Sequence, residues 1–158
     1  MSEKDLGSAL GKIPSGLFIV TVRQGDVETG MLASWVQQCS FVPPRISVAV
    51  KPERSINCML REGDSLVVNI ASVQSKNLIS HFGRGFEPGQ SAFEGIQVDR
   101  PTHQSAPILK DALAYLCCRV VDRVSVGDHD LVIGDVLDGA ILGEGEPRVH
   151  IRKNGFNY

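Results

Sequence analysis

No apolar run in this sequence approaches the roughly 20 residues needed to cross a bilayer. Its opening, MSEKDLGSAL, mixes Glu3, Lys4 and Asp5 and lacks the long apolar stretch of a signal peptide. We therefore expect no membrane association and a cytoplasmic location. Basic charge is not concentrated either: 16 Lys and Arg stand against 18 Asp and Glu, for a formal net charge of −2. Neutralising nucleic-acid phosphates takes a strong positive field, so nucleic acid is not an expected partner. Cys39, Cys58, Cys117 and Cys118 lack the paired CxxC spacing of a zinc site, and His81, His103, His129 and His150 form no HxxH or HExxH group. No metal site follows from local spacing. Cys117 and Cys118 are neighbours in a strand-like run and point to opposite faces, and all four cysteines read as reduced core thiols. No GxGxxG follows a strand-like segment, so the common dinucleotide fingerprint is missing. There is no internal repeat.

What is present suits one domain over 1–158, because 158 residues bury a single sizeable core while two domains would leave each half marginal. Ser2 is placed to cap a helix with Leu6, Leu10 and Ile13 along one face, stopped by Pro14. GLFIVTV, the turn RQGD and VETGMLASWV read as a β-hairpin, and RISVAV follows Pro43-Pro44 as a third strand. ERSINCMLREG and VQSKNLISHFG carry helical spacing, with the strand SLVVNIA between them. The loop RGFEPGQSAFEG is long for a compact domain, and its two Phe residues argue for packing over disorder. Phe82 reads as core, with Phe86 or Phe93 closing over a ligand. Tyr115 alternates with buried neighbours and reads as core. LAYLCCRVVDRVSVGDHDLVIGDVLDGAILG gives two long strands about a turn at Gly127-Asp128, then a Gly139-centred turn into a third. The fold class expected is mainly β: a small antiparallel barrel with helices packed outside.

Polar residues interrupt the run from Met31 to Ser40. A surface strand with Ser34 and Gln38 facing water accounts for them. So does a strand whose small Ala33 and Ser34 let a flat ligand approach the backbone, with the hydroxyls of Ser34 and Ser40 serving a phosphate. Lys51 and Arg54 lie in KPERSI at a helix entry, where an anion is favoured.

Taken in order, GLFIVTV, GMLASWVQQCSFVPPRISVAVKPERSI, LVVNI, HFGRGFEPGQSAFEGI, APILKDALAYLCCRVVDRVSVGDHDLVIGDV and VHIRKNGFNY span nearly the whole chain. This ordered set resembles the flavin reductase-like family, above all the flavin reductase domain at the C-terminal end of flavodiiron proteins. The resemblance implies an FMN-binding split barrel, with FAD as a second option. It implies that Ala33, Ser34, Trp35 and Val36 border the isoalloxazine, that Ser40, Lys51, Arg54 and Ser55 serve the ribityl and phosphate end, and that His129 in GDHD faces the flavin or nicotinamide pocket as the catalytic candidate. Trp35 fits either beside the ring or at a dimer contact. Cys39 departs from the Ala or Val usual there and reads as filling a small gap. The implied activity is an oxidoreductase moving hydride from NAD(P)H to flavin, with electrons passed to a separate acceptor protein or delivered as reduced flavin, and with a homodimer completing the cleft. Two other readings stay open: a flavin-binding electron-transfer or redox-sensing module without its own NAD(P)H turnover, and a split-barrel interaction domain without cofactor. A di-iron or flavodoxin domain has no room in this chain.

Overall fold

The computed structural model describes residues 2–103 and 105–158. Helix α1 (Glu3–Leu10) starts as Ser2 foretold: its hydroxyl accepts from the Asp5 N–H at 3.1 Å while the Asp5 carboxylate reaches back to the Ser2 N–H. The face it buries differs from the apolar stripe. Leu6 and Ile13 are exposed and Gly7 is buried, because the helix docks residues 152–156 through its glycines.

Strands β1 (Ser15–Gly16), β2 (Phe18–Gln24), β3 (Val27–Ala33), β4 (Val36–Phe41) and β5 (Pro44–Val50) precede a 3-10 turn at Ser55–Met59. Then come β6 (Ser65–Ile70), α2 (Lys76–Gly83), β7 (Val98–Asp99), β8 (Ile108–Leu109), β9 (Ala114–Ser125), β10 (Asp130–Ile141) and β11 (Val149–His150). Seven of the strands form one antiparallel sheet in the order β3-β2-β6-β9-β10-β5-β4, and β1 pairs with β11.

The order dictates the shape. A flat sheet with six inter-strand steps would hold its edges about 29 Å apart. Yet Ala33 ends one edge strand and Val36 begins the other, and three residues reach no further than about 11 Å. The sheet must roll until its edges approach at Ser34-Trp35, leaving a split rather than a closed ladder. Alternation then sorts the side chains: Val20, Val22, Ile46, Val48, Leu66, Val68 and Val132 fill the roll, and Ile56, Met59 and Leu60 of the 3-10 turn pack into the same core. Ile19, on the outer face, packs with Leu78 and Phe82 of α2.

Two expectations about the strands need correction. VETGMLASWV is not continuous, because Ala33 is already opposite Phe18, the first residue of β2; the ladder ends there and the chain crosses to pair with β5. Gly139 makes no turn. It lies inside β10 opposite Leu116, where a Cβ would meet the Tyr115 carbonyl oxygen at 2.7 Å, so close strand approach is what requires glycine. Nor are all four cysteines core thiols. Cys118 is buried and Cys117 half-buried, but Cys58 is exposed and Cys39, expected to fill a gap, is exposed at the bulge between Gln38 and Ser40.

Candidate functional site

Where the two sheet edges meet, the side chains of Ala33 and Ser34 have nothing large to offer and the wall stays open. A cavity of about 400 Å³ lies there. Its lining combines apolar Leu17, Leu32, Ala33, Val50, Ile79 and Phe82 with Lys51, Arg54, Arg148 and His150. Helix α2 can stand this near because β3 has Gly30 beneath Phe82, where a Cβ would lie 2.9 Å from the ring.

The cleft extends in two directions. Past Arg54, Met31 and Gly85 it opens into a cavity of about 720 Å³ bordered by Ser55, Arg84 and Phe86. Past Trp35, Lys51 and Tyr158 it meets a smaller one of about 210 Å³, bordered by Asp128, His129 and Arg152. Arg152 lies 4.9 Å over the Trp35 ring, and Lys51 Nζ lies 5.8 Å from the Tyr158 ring centroid.

His129 is held at both ring nitrogens: Nδ1 is 2.7 Å from Asp128 Oδ1 and Nε2 is 2.6 Å from the Tyr158 hydroxyl. The hydrogen bond from His129 holds the Asp128 carboxyl below its ordinary range, so it is ionised at neutral pH. An ionised carboxylate only accepts, so Nδ1 carries a proton; in the neutral form of the ring Nε2 is then the acceptor for Tyr158. Partial desolvation of the phenol raises the Tyr158 pKa, so its hydroxyl stays protonated at neutral pH. The neighbouring Asp130 fixes this turn in space: it accepts from Arg123 at 2.6 Å, Ser125 at 2.9 Å and Asn57 at 3.1 Å, and these bonds hold its carboxyl below the usual range. Arg123 also donates to the Asn57 and Leu60 carbonyls, tying the β9–β10 hairpin to the 3-10 turn that follows Arg54.

Ala33, Ser34, Trp35, Lys51 and Arg54 thus share one cavity, and His129 joins them through Trp35 and Lys51. Three residues sit elsewhere. Val36 turns toward the core of the roll. Ser40 pairs with Arg45 near the β4–β5 turn, at the far end of β4 from the cleft. Ser55 faces the larger extension. Phe93 belongs to the core under α2, while Phe86 borders that extension. Tyr158, Arg148, His150 and Ile79 were not singled out as site residues beforehand; an aromatic in GFNY outside every periodic segment was the signal available for Tyr158. Among the described residues no cluster of three His, Cys, Asp or Glu is arranged to hold a metal, and no helix is long and apolar enough to cross a membrane.

Residues 10–157 match the flavin reductase like domain family, and the chain belongs to it. It is 42% identical over 158 residues to diflavin flavoprotein A 1 of Synechocystis sp., covering 99% of this chain and 27% of that protein. The chain therefore spans about a quarter of the curated relatives' length. Among solved structures, the Streptomyces globisporus NADH:FAD oxidoreductase SgcE6 in complex with NAD and FAD fragments matches with TM-score 0.80 at 21% identity, covering 94% of this chain and 86% of that one. Flavin reductase HpaC complexed with NADP+ matches with TM-score 0.79 at 26% identity, covering 92% and 91%.

Proposed function

We propose that the chain binds FMN in the cleft at the β3–β4 split and takes hydride from NAD(P)H, passing electrons to a separate acceptor or releasing reduced flavin. The observation that carries this is the mixed lining of the cleft, apolar residues together with cations. An apolar slot between Ala33-Ser34 and α2 suits a flat ring, and the cations Lys51, Arg54 and Arg148 suit an anionic tail. Its volume of about 400 Å³ lies within the range of cofactor sites. FAD is the alternative cofactor, since the cleft continues beyond Arg54.

When bound, the flavin supplies a ring that takes up hydride, and the rest is positioning. Ala33 and Ser34 keep the slot narrow but open, Phe82 and Ile79 exclude water from it, and Lys51 and Arg54 hold negative charge. Val36 lies on the core side of the roll and Ser55 in the larger extension, while Ser40 lies away from the cleft. His129, oriented by Asp128, presents a polar edge beside Trp35 at the side from which a donor would approach, which makes it our candidate for contact with the reacting rings. The names of SgcE6 and HpaC, with NAD and NADP+ bound, support a nicotinamide donor.

The partner we propose for the exposed Phe41 and Val42 at the β4–β5 turn, and for Leu137 and Ile141 on the overhang of β10, is a second copy of the chain. Light scattering of wild type against Phe41→Asp checks it: the wild type should be dimeric and the variant smaller. The function itself is tested by purifying the protein, identifying any released flavin, and adding NADH or NADPH without oxygen. Loss of the visible flavin band is expected; bound FMN that neither donor bleaches would leave a binding module without turnover.

A further inference from the structure

Tyr158 stands where the main cleft meets its smaller extension. Its ring centroid is 5.6 Å from that of Trp35, and its hydroxyl is 2.6 Å from His129 Nε2. The residue is nevertheless 65% exposed, so it is held by one edge and its tip rather than by enclosure. His129 is the opposite, 5% exposed with Nδ1–H committed to Asp128. In the neutral ring its Nε2 is a buried acceptor whose partner is the phenol. Removing Tyr158 with nothing in its place leaves that acceptor unpaired, which is unfavourable. A proper substitute is flat, fits beside Trp35, and carries an N–H or O–H at its rim. The nicotinamide ring with its carboxamide has all three properties.

We infer that the Tyr158 side chain keeps the seat of the nicotinamide ring, and that the hydride donor binds by exchanging with it. This rests on the flavin reading above and adds the donor's subsite to it. The segment is built for a short swing. The Gly155 N–H donates to the Gly7 carbonyl at 2.7 Å, and a Cβ at Gly155 would lie 2.1 Å from Leu10 Cβ, so the segment is pinned to α1 at that point. Phe156 also rests on Gly7, so Asn157 and Tyr158 are the residues whose movement empties the seat. A seat filled by Tyr158 nine-tenths of the time weakens the donor's apparent affinity about tenfold.

The test uses the full chain loaded with FMN and compares wild type with Tyr158→Ala and with Gly155→Val, which unseats the segment without altering a ring in the cleft. Both variants should bind NAD+ or NADP+ roughly five- to tenfold more tightly, and Gly155→Val, which alters no wall of the main cleft, should keep FMN affinity within about twofold of wild type. In protein labelled with 3-fluorotyrosine, the two tyrosines give two fluorine resonances, and the one missing from Tyr158→Phe should shift on saturation with NAD+ or NADP+ while that of Tyr115 stays. An unmodified chain that retains no FMN removes the flavin reading and this one with it. Variants that keep FMN but bind the nicotinamide nucleotide unchanged or more weakly, or a Tyr158 resonance that does not respond, overturn the exchange alone.

Discussion

Two separate clusters of aromatic and histidine side chains border the cleft and are built from nearly the same parts. Behind α2, His81 packs edge-on to Phe82, and Phe82 touches Phe86 and Phe93. At the β3–β4 split, Trp35 meets His129 and Tyr158. His81 Nε2 bonds the Ala92 carbonyl oxygen at 2.8 Å, a backbone partner that nothing displaces without unfolding the loop. His129 instead bonds a carboxylate and a largely exposed phenol, with Lys51 and Arg152 against the same rings. Residue type does not separate the two clusters; what does is that one histidine bonds the backbone and the other bonds side chains, one of them largely exposed.

The largest effect that sharpens this contrast is on the closed side. Phe82→Ala removes a ring that is 1% exposed, and we expect a loss of about 3–5 kcal/mol and a melting temperature lower by on the order of 10 °C. On the open side, Ser34→Phe should fill the slot and abolish FMN retention while the far-ultraviolet spectrum and melting temperature stay near wild type; unchanged FMN binding removes the β3–β4 break from the site. Arg54→Ala should weaken FMN roughly 10- to 100-fold but riboflavin, which has no phosphate, only slightly, as equilibrium dialysis can measure. His129→Gln should slow donor-dependent bleaching about tenfold, less than the roughly 10²- to 10⁴-fold expected of an obligate acid or base. His81→Gln should leave that rate alone.

The smallest effect concerns Asp130, which braces the His129 turn. Its folded-state pKa lies below the ordinary carboxylate value because Arg123, Asn57 and Ser125 all donate to it. Its stabilisation is therefore complete at neutral pH and is lost as pH falls through that depressed value. Melting curves taken down an acid series should show a steeper loss in wild type than in Asp130→Asn, which does not titrate.

The contrast also marks what was legible beforehand. β2, β5, β6, β9 and β10 announce themselves through β-branched alternation, and Phe82 through helical spacing, because core faces repeat with the period of their element. The break at Ser34-Trp35 has no such signature, since it is set by where β2 runs out of residues to pair with. Lys51 and Arg54 were readable from charge at a helix entry. Ser40 was assigned to the phosphate end by its hydroxyl and by the family resemblance, but the ladder with β5 carries it away from the cleft. Tyr158 sits in no periodic segment, and only the rolled sheet brings it to His129.

Trp35 is the sole tryptophan and borders both the main cleft and its smaller extension, so its emission reports directly on whether the flavin occupies the split. Titration with FMN should quench it saturably at one equivalent per chain, and Ser34→Phe should abolish the quench. FMN retained by the protein, as seen in its visible absorbance, with Trp35 emission untouched would place the flavin elsewhere.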